Sequence, residues 1–149
     1  MHRLDGRATW WVGRAQLRAH ALLQDLFTDT GARPHHYRLL AAVEESGPIG
    51  QADLGRATEL DRSDVSVALG SLEERGLVER APHPTDRRRN LVTLTDRGRA
   101  ELARLDAVVN EAQEQFLAPL TASERPVFLD MVRRLGRGAG PARSSPGSD

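Results

Sequence analysis

Residues 47–102 read GPIGQADLGRATELDRSDVSVALGSLEERGLVERAPHPTDRRRNLVTLTDRGRAEL, and the order of elements in this stretch decides the fold. Pro48 forces a short extended piece after Gly47. Leu54 and Ala57 then predict a short helix over Gln51–Thr58. Asp61 is a good N-cap for the next helix, whose apolar face is Val65, Leu69 and Leu72 and whose stop is Gly76. Leu77–Ala81 and Leu91–Leu94 read as strands, and the turn-rich PHPTDRRRN between them makes a β-hairpin with a long tip. Two short helices joined by a tight turn form a helix-turn-helix, and the hairpin that follows adds a wing.

Such an arrangement asks for different chemistry in its two parts. The second helix of a helix-turn-helix enters the major groove of duplex DNA and needs small polar side chains at its N-terminal end. The wing reaches a neighbouring minor groove, where negative potential favours an inserted guanidinium. Both requirements are met here. Arg62, Ser63, Asp64, Ser66 and Val67 lie off the apolar face of the second helix. Arg87, Arg88 and Arg89 are consecutive at the wing tip, beside Asp86. That carboxylate is expected to hold one guanidinium in a fixed bidentate pose. Ser63 and Ser66 are expected to contact base edges or phosphates. Gln51, at the start of the first helix of the pair, is a candidate phosphate anchor.

Working outward, Trp11, Ala15, Leu22 and Leu26 recur at helical spacing and predict a first helix over about 9–28. A second helix opens with Pro34 and stops at Gly47. After the wing, Thr95 caps a long fifth helix carrying Leu102, Leu105, Val109, Ala112 and Phe116. The sixth helix has two candidate starts. Thr121 and Glu124 have capping-box spacing but would leave Pro126 a turn inside, so Ser123 is the expected cap. The Gly/Pro/Ser-rich residues 137–149 are expected to be a disordered tail. The fold class is therefore mainly α with a small β-wing. Residues 33–97 form a winged helix-turn-helix, flanked by dimerisation helices over 1–32 and 98–136. Helix one and the C-terminal pair carry Leu22, Leu26, Phe116, Leu120, Phe128 and Val132, too much apolar surface for one small winged domain to cover.

Composition narrows the function further. The 149 residues carry 21 basic and 21 acidic side chains, so net charge alone says nothing about a polyanionic partner. The distribution does. Residues 41–60 hold one Arg against four acids, whereas residues 80–99 hold six Arg against two Asp. A local basic patch on a neutral chain is how a phosphate contact is written in sequence. All the basic residues are arginine, which fits a GC-rich genome. There is no cysteine, which excludes disulfides, thiolate metal sites and thiol redox sensing. Residues 1–9 lack the apolar stretch of a secretory signal and no run suits a membrane span, so a cytoplasmic protein is expected. No Ser lies in a nucleophile-elbow or S-x-x-K context, and there is no phosphate-cradling glycine loop. The five histidines show no i, i+4 metal pair. Neither an enzyme, a metal site nor a cofactor is expected. The competing reading is a winged-helix module for protein interaction or dimerisation without DNA binding, which would not need a tri-arginine wing.

The pattern LEERGLVERxxxPxDRRxxxVxLTxxG, Leu72 to Gly98, is the most specific part of a resemblance to the MarR family of bacterial winged-helix transcription regulators. The resemblance covers about residues 9–137. It implies a homodimer in which each winged domain reads one half of an inverted-repeat operator, acting most simply as a repressor. It also implies that Arg88 enters the minor groove with Asp86 orienting it. The sequence departs from the pattern at Val67, where many members carry a basic or long polar residue, and at Asp64, usually Thr or similar. Asp64 either accepts from a cytosine amino group or serves the helix N-terminus electrostatically.

The resemblance further implies an effector site where helices one, two and five meet, and with no thiol a small aromatic or anionic ligand is the expected signal. The unusual side chains of that region are Trp10, Trp11, Arg14, Arg18 and His20 on helix one, and His35, His36 and Tyr37 on helix two. Trp11, Arg14, Arg18, His20, His36 and Tyr37 are the candidate ligand residues. Arginine would clamp a carboxylate beside an aromatic wall. The alternative is that Trp11 is interface core and the arginines are solvated.

Overall fold

The computed structural model describes residues 3–138. Most of the expected tail, residues 139–149, lies outside them. The elements run α1 (Ala8–Phe27), α2 (Pro34–Ser46), β1 (Ile49–Gly50), α3 (Gln51–Thr58), α4 (Arg62–Glu74), β2 (Val78–Pro82), β3 (Asn90–Leu94), α5 (Asp96–Leu117) and α6 (Glu124–Arg137). The described residues fall into two compact units that divide after Gln115.

In the first unit, the core is built mainly from the apolar sides of five elements, α2, α3, α4, β3 and α5. Leu39, Leu40 and Val43 of α2, Leu54 of α3, and Val65, Leu69 and Leu72 of α4 are fully buried. Val92 of β3 and Leu105 of α5 close the cluster. Each such leucine contributes about 1.5–3 kcal/mol through burial, which sets the orientation of α3 and α4 relative to α2. The sheet has the antiparallel order β1-β3-β2. The hairpin pairs Arg80 with Val92 and Pro82 with Asn90. The extended piece after Pro48 forms a third strand, Ile49 pairing with Val92. It ties the entry of the helix-turn-helix to the wing.

The start of α2 uses an unexpected cap. The residue before it is Arg33, whose side chain has no acceptor, and the Arg33 amide donates instead to Nδ1 of His36 at 3.2 Å. His36 is buried. Burial, reinforced by His35, Arg75 and Arg33, lowers its pKa from 6.5 to about 4. The ring is thus neutral in the fold, whereas the unfolded chain takes up a proton near pH 6.5. Stability should be constant above that pH and fall as the pH drops from about 6.5 towards 4. His36→Gln keeps an acceptor at this position without the titration, so denaturant midpoints between those pH values should flatten in the variant. An unchanged slope would assign the acid sensitivity to other groups.

In the second unit, α6 corrects the expected cap. Ser123 already has helical backbone angles and its side chain caps nothing. The Glu124 amide donates to Thr121 Oγ1 at 3.3 Å, and Glu124 Oε1 accepts from the Thr121 amide at 2.8 Å. The reciprocal box satisfies two orphan donors at once, which outweighs the hydrogen bond that Pro126 cannot make. No residue of α6 is buried, and Val127, Leu129, Met131, Val132 and Leu135 are exposed. The same holds for Leu4, Trp10, Trp11, Val12 and Leu17 in and before α1.

Candidate nucleic-acid interface

The turn between α3 and α4 is built from local hydrogen bonds. Thr58 is buried and its hydroxyl donates to the Leu54 carbonyl at 2.7 Å. Glu59 then takes a left-handed conformation, φ 56°, which turns the chain. Arg38 of α2 donates from Nη1 to the Thr58 carbonyl at 3.0 Å, fastening the end of α3 to the body of the domain. Asp61 caps α4, its Oδ1 accepting from the Asp64 amide at 3.0 Å and from the Ser63 hydroxyl at 2.8 Å. These two bonds hold the Asp61 carboxyl below the usual carboxylate range.

At about 100° per residue, the buried side of α4 (Val65, Ala68, Leu69, Leu72) places Ser63, Val67 and Gly70 along the opposite, outermost line. Ser66 and Arg62 flank that line on one side, Asp64 on the other. All of the expected reading residues of α4 are exposed. Gln51, at the first position of α3, lies with Arg62 on the wall of a shallow depression of about 470 Å³.

The wing tip is closed across its base by the His83 amide donating to the Arg89 carbonyl at 2.8 Å. Within it, His83 Nδ1 accepts from the Thr85 amide at 3.2 Å. Asp86 acts differently from its expected role. Its Oδ1 accepts from the backbone amide of Arg88 at 3.1 Å, and its carbonyl accepts from the Arg89 amide at 3.0 Å. The carboxylate therefore shapes the turn that carries Arg88 rather than gripping the guanidinium. Arg87, Arg88 and Arg89 are exposed, and none forms an ion pair with a described residue. Arg80, at the base of the wing, is paired with Glu73 of α4.

The expected ligand residues are dispersed within this single chain. Tyr37 lines a cavity of about 330 Å³ together with Leu23 and Phe27 of α1, Arg38, Ala41, Ala42 and Glu45 of α2, Ala57 and Thr58 of α3, and Val109 and Gln113 of α5. Its hydroxyl donates to Asp106 at 2.8 Å. Burial and that bond push the phenol up to about 12. The other five lie off that cavity. Arg14 stands 5.9 Å from the ring centroids of both Trp10 and Trp11. Trp11 Nε1 donates to the Asp5 carbonyl at 2.9 Å, and Arg18 to the Gln115 carbonyl at 2.6 Å. His20 is exposed. His36 is committed to its cap. Arg38 was missed by the sequence reading, because its partner is twenty residues away and no local signal marks the pair. Among the described residues, no three His, Asp or Glu side chains gather as a metal ion requires, and no helix is long and apolar enough to cross a membrane.

Residues 30–89 match the family model described as MarR family. A protein from Thauera aromatica, named as a transcriptional regulatory protein for the hcr operon, is 32% identical over 90% of this chain and 81% of its own length. The PcaV transcriptional regulator of Streptomyces coelicolor, solved in complex with its natural ligand, superimposes with a TM-score of 0.79. It is 29% identical and covers 94% of this chain and 99% of its own. The transcriptional repressor CouR, solved on a 23-mer DNA duplex, reaches a TM-score of 0.84 at 27% identity, covering 92% and 97%. With the helix-turn-helix, the arginine-tipped wing and these likenesses in agreement, the chain belongs to the MarR family of transcriptional regulators.

Proposed function

We propose that the protein is a homodimeric repressor that binds an inverted-repeat DNA operator and is released by a small aromatic or anionic effector. The observation that carries the reading is the pairing of the exposed polar side chains at the start of α4, Arg62, Ser63, Asp64 and Ser66, with three unpaired arginines at the wing tip. In a neutral chain, these are the groups placed to meet bases and phosphates. Residues 33–97 act as the reading domain. The exposed apolar faces of α1 and α6 belong to the dimerisation segments, residues 1–32 and 98–136, where a second copy covers them. Two-fold symmetry sets half-site centres about one helical turn, roughly 10 bp, apart.

For the effector, the support is the 330 Å³ cavity, apolar on most of its wall. Arg38 is the one cation in that wall, and the same guanidinium holds the end of α3. An anion drawn to Arg38 would loosen the helix-turn-helix and favour the conformation that does not fit DNA. It must bind that conformation better to release the operator.

The test is a mobility shift on duplex DNA from upstream of the protein's own gene, at about 50 and about 200 mM salt. Retention should fall with salt, and Arg87→Ala and Arg89→Ala should each flatten the dependence of log K on log salt by about two units, one for each wing of the dimer. No retention at low salt would favour the interaction-module reading. A stable monomer that binds DNA in analytical ultracentrifugation would overturn the dimer. Repeated with a panel of hydroxybenzoates, the shift should be lost with at least one, and Arg38→Met should abolish that response. A response that survives Arg38→Met but is lost in Trp11→Phe, Arg14→Ala or His36→Ala would move the effector out of this cavity.

A further inference from the structure

The described residues include eleven large exposed hydrophobic side chains, and ten belong to the N-terminal segment through α1 or to α6. The remaining one is Val67, in the middle of α4. At 75% exposure it is also the most exposed of the eleven. Its position is diametrically opposite the buried Val65–Leu69–Leu72 side, between Ser63 one turn before and Gly70 one turn after. A Cβ built at Gly70 meets nothing within 4 Å, so the surface beyond Val67 is open. Along this line α4 presents a hydroxymethyl, an isopropyl and a hydrogen. The line itself carries none of the long side chains, Arg, Asn or Gln, that make bidentate bonds to purine edges, and Arg62 stands only to its side.

We infer that Val67 is a specificity-determining residue that reads the C5-methyl group of a thymine in each operator half-site. This rests on the reading that α4 enters the major groove. In that groove the bases expose polar acceptors and amino donors, and the thymine methyl is the one apolar group among them. An isopropyl group set against a cytosine amino or a purine edge would strip water from a polar group and return no hydrogen bond. Against a thymine methyl it removes two apolar surfaces from water at no such cost. Ser63 and Ser66 discriminate poorly, because a hydroxyl both donates and accepts. The short side chains around Val67 allow the helix to approach the bases closely enough for this contact.

The test starts with selection of duplexes from a random library by the full chain at low salt. Each thymine of the selected duplex is then replaced by deoxyuridine, which pairs identically and lacks the methyl. One symmetry-related pair of positions should be sensitive, with affinity falling about fourfold for one half-site and about fifteenfold for both, the value of one buried methyl each. Val67→Ala should bind the thymine and deoxyuridine duplexes equally. A selected duplex whose deoxyuridine scan is flat, or a sensitivity that persists in Val67→Ala, would overturn the inference while leaving DNA binding intact. Failure to select any duplex would overturn the DNA-binding reading, and this inference with it.

Discussion

Replacing Arg88 with alanine is expected to lower operator affinity by at least about a hundredfold, with the fold untouched. Its guanidinium is exposed at the tip of the wing and has no acid partner to compete with DNA. A charge-assisted contact is worth about 1.5–3 kcal/mol, and a dimer loses one from each wing. Asp86 makes the test specific. Its carboxylate accepts from the Arg88 amide and its carbonyl from the Arg89 amide, so it sets the turn that aims the guanidinium. Asp86→Ala should therefore weaken binding by about tenfold, less than loss of the guanidinium because a misaimed Arg88 still attracts phosphate, although it deletes a negative charge beside a polyanion. Asp86→Asn keeps the acceptor oxygen and removes the charge, and should bind at least as tightly as the parent. Were the carboxylate instead a clamp on the guanidinium, the asparagine variant would fail like the alanine one. Fluorescence anisotropy titrations of the three variants against one duplex separate these outcomes, and tighter binding by Asp86→Ala would remove the orienting role altogether.

The contrast at Asp86 shows how far the sequence reaches. The family resemblance drew attention to Asp86 and Arg88, and the contact between them is the local one that an aspartate commonly makes to the backbone two positions on. The resemblance did not identify the right atoms. Most boundaries were legible where a residue acts on its own neighbours, although the Thr121–Glu124 box of α6 was passed over for Ser123 because of Pro126. Pro34 opens α2, Asp61 caps α4, Gly76 ends the α4 turn and Thr95 caps α5, its Oγ1 accepting from the Gly98 amide at 3.0 Å. What escaped depends on chain segments far apart. Ile49–Gly50 is too short to advertise a partner some forty residues later, and Arg38 reaches a carbonyl twenty residues on. The cavity was hardest. Sequence reading favours rare side chains such as Trp11, Arg14 and His20, but space is created by small ones. Ala41, Ala42 and Ala57 line the opening where α1, α2, α3 and α5 converge, and alanine carries no signal of that kind.

Gly98→Ala should be the most destabilising conservative change in the first unit, with the opposite sign to helix propensity. In the third position of α5, alanine in place of glycine would ordinarily favour the helix by about 1 kcal/mol. Here a Cβ would lie 2.0 Å from the Leu77 carbonyl oxygen and 3.0 Å from both the Leu77 carbonyl carbon and Leu94 Cδ2. That oxygen is not a flexible tip. It accepts from the Thr95 amide at 3.1 Å, and the Thr95 hydroxyl donates to the Gly76 carbonyl at 2.6 Å. To admit a methyl, the start of α5 must move off the first residues of the wing, straining both bonds and opening the contact with Leu94. Overpacking and weakened hydrogen bonds together amount to about 3–4 kcal/mol, a large part of the roughly 5–15 kcal/mol that holds a domain folded. Gly70→Ala is the matched control, since its Cβ meets nothing within 4 Å and the helix should gain rather than lose. Urea unfolding followed by far-ultraviolet circular dichroism should show the two variants displaced in opposite directions. Equal midpoints would mean that α5 does not dock on Leu77 by direct backbone contact. Because the same contact fixes the base of the wing, a Gly98 variant that folds should also lose operator affinity with every wing arginine still present.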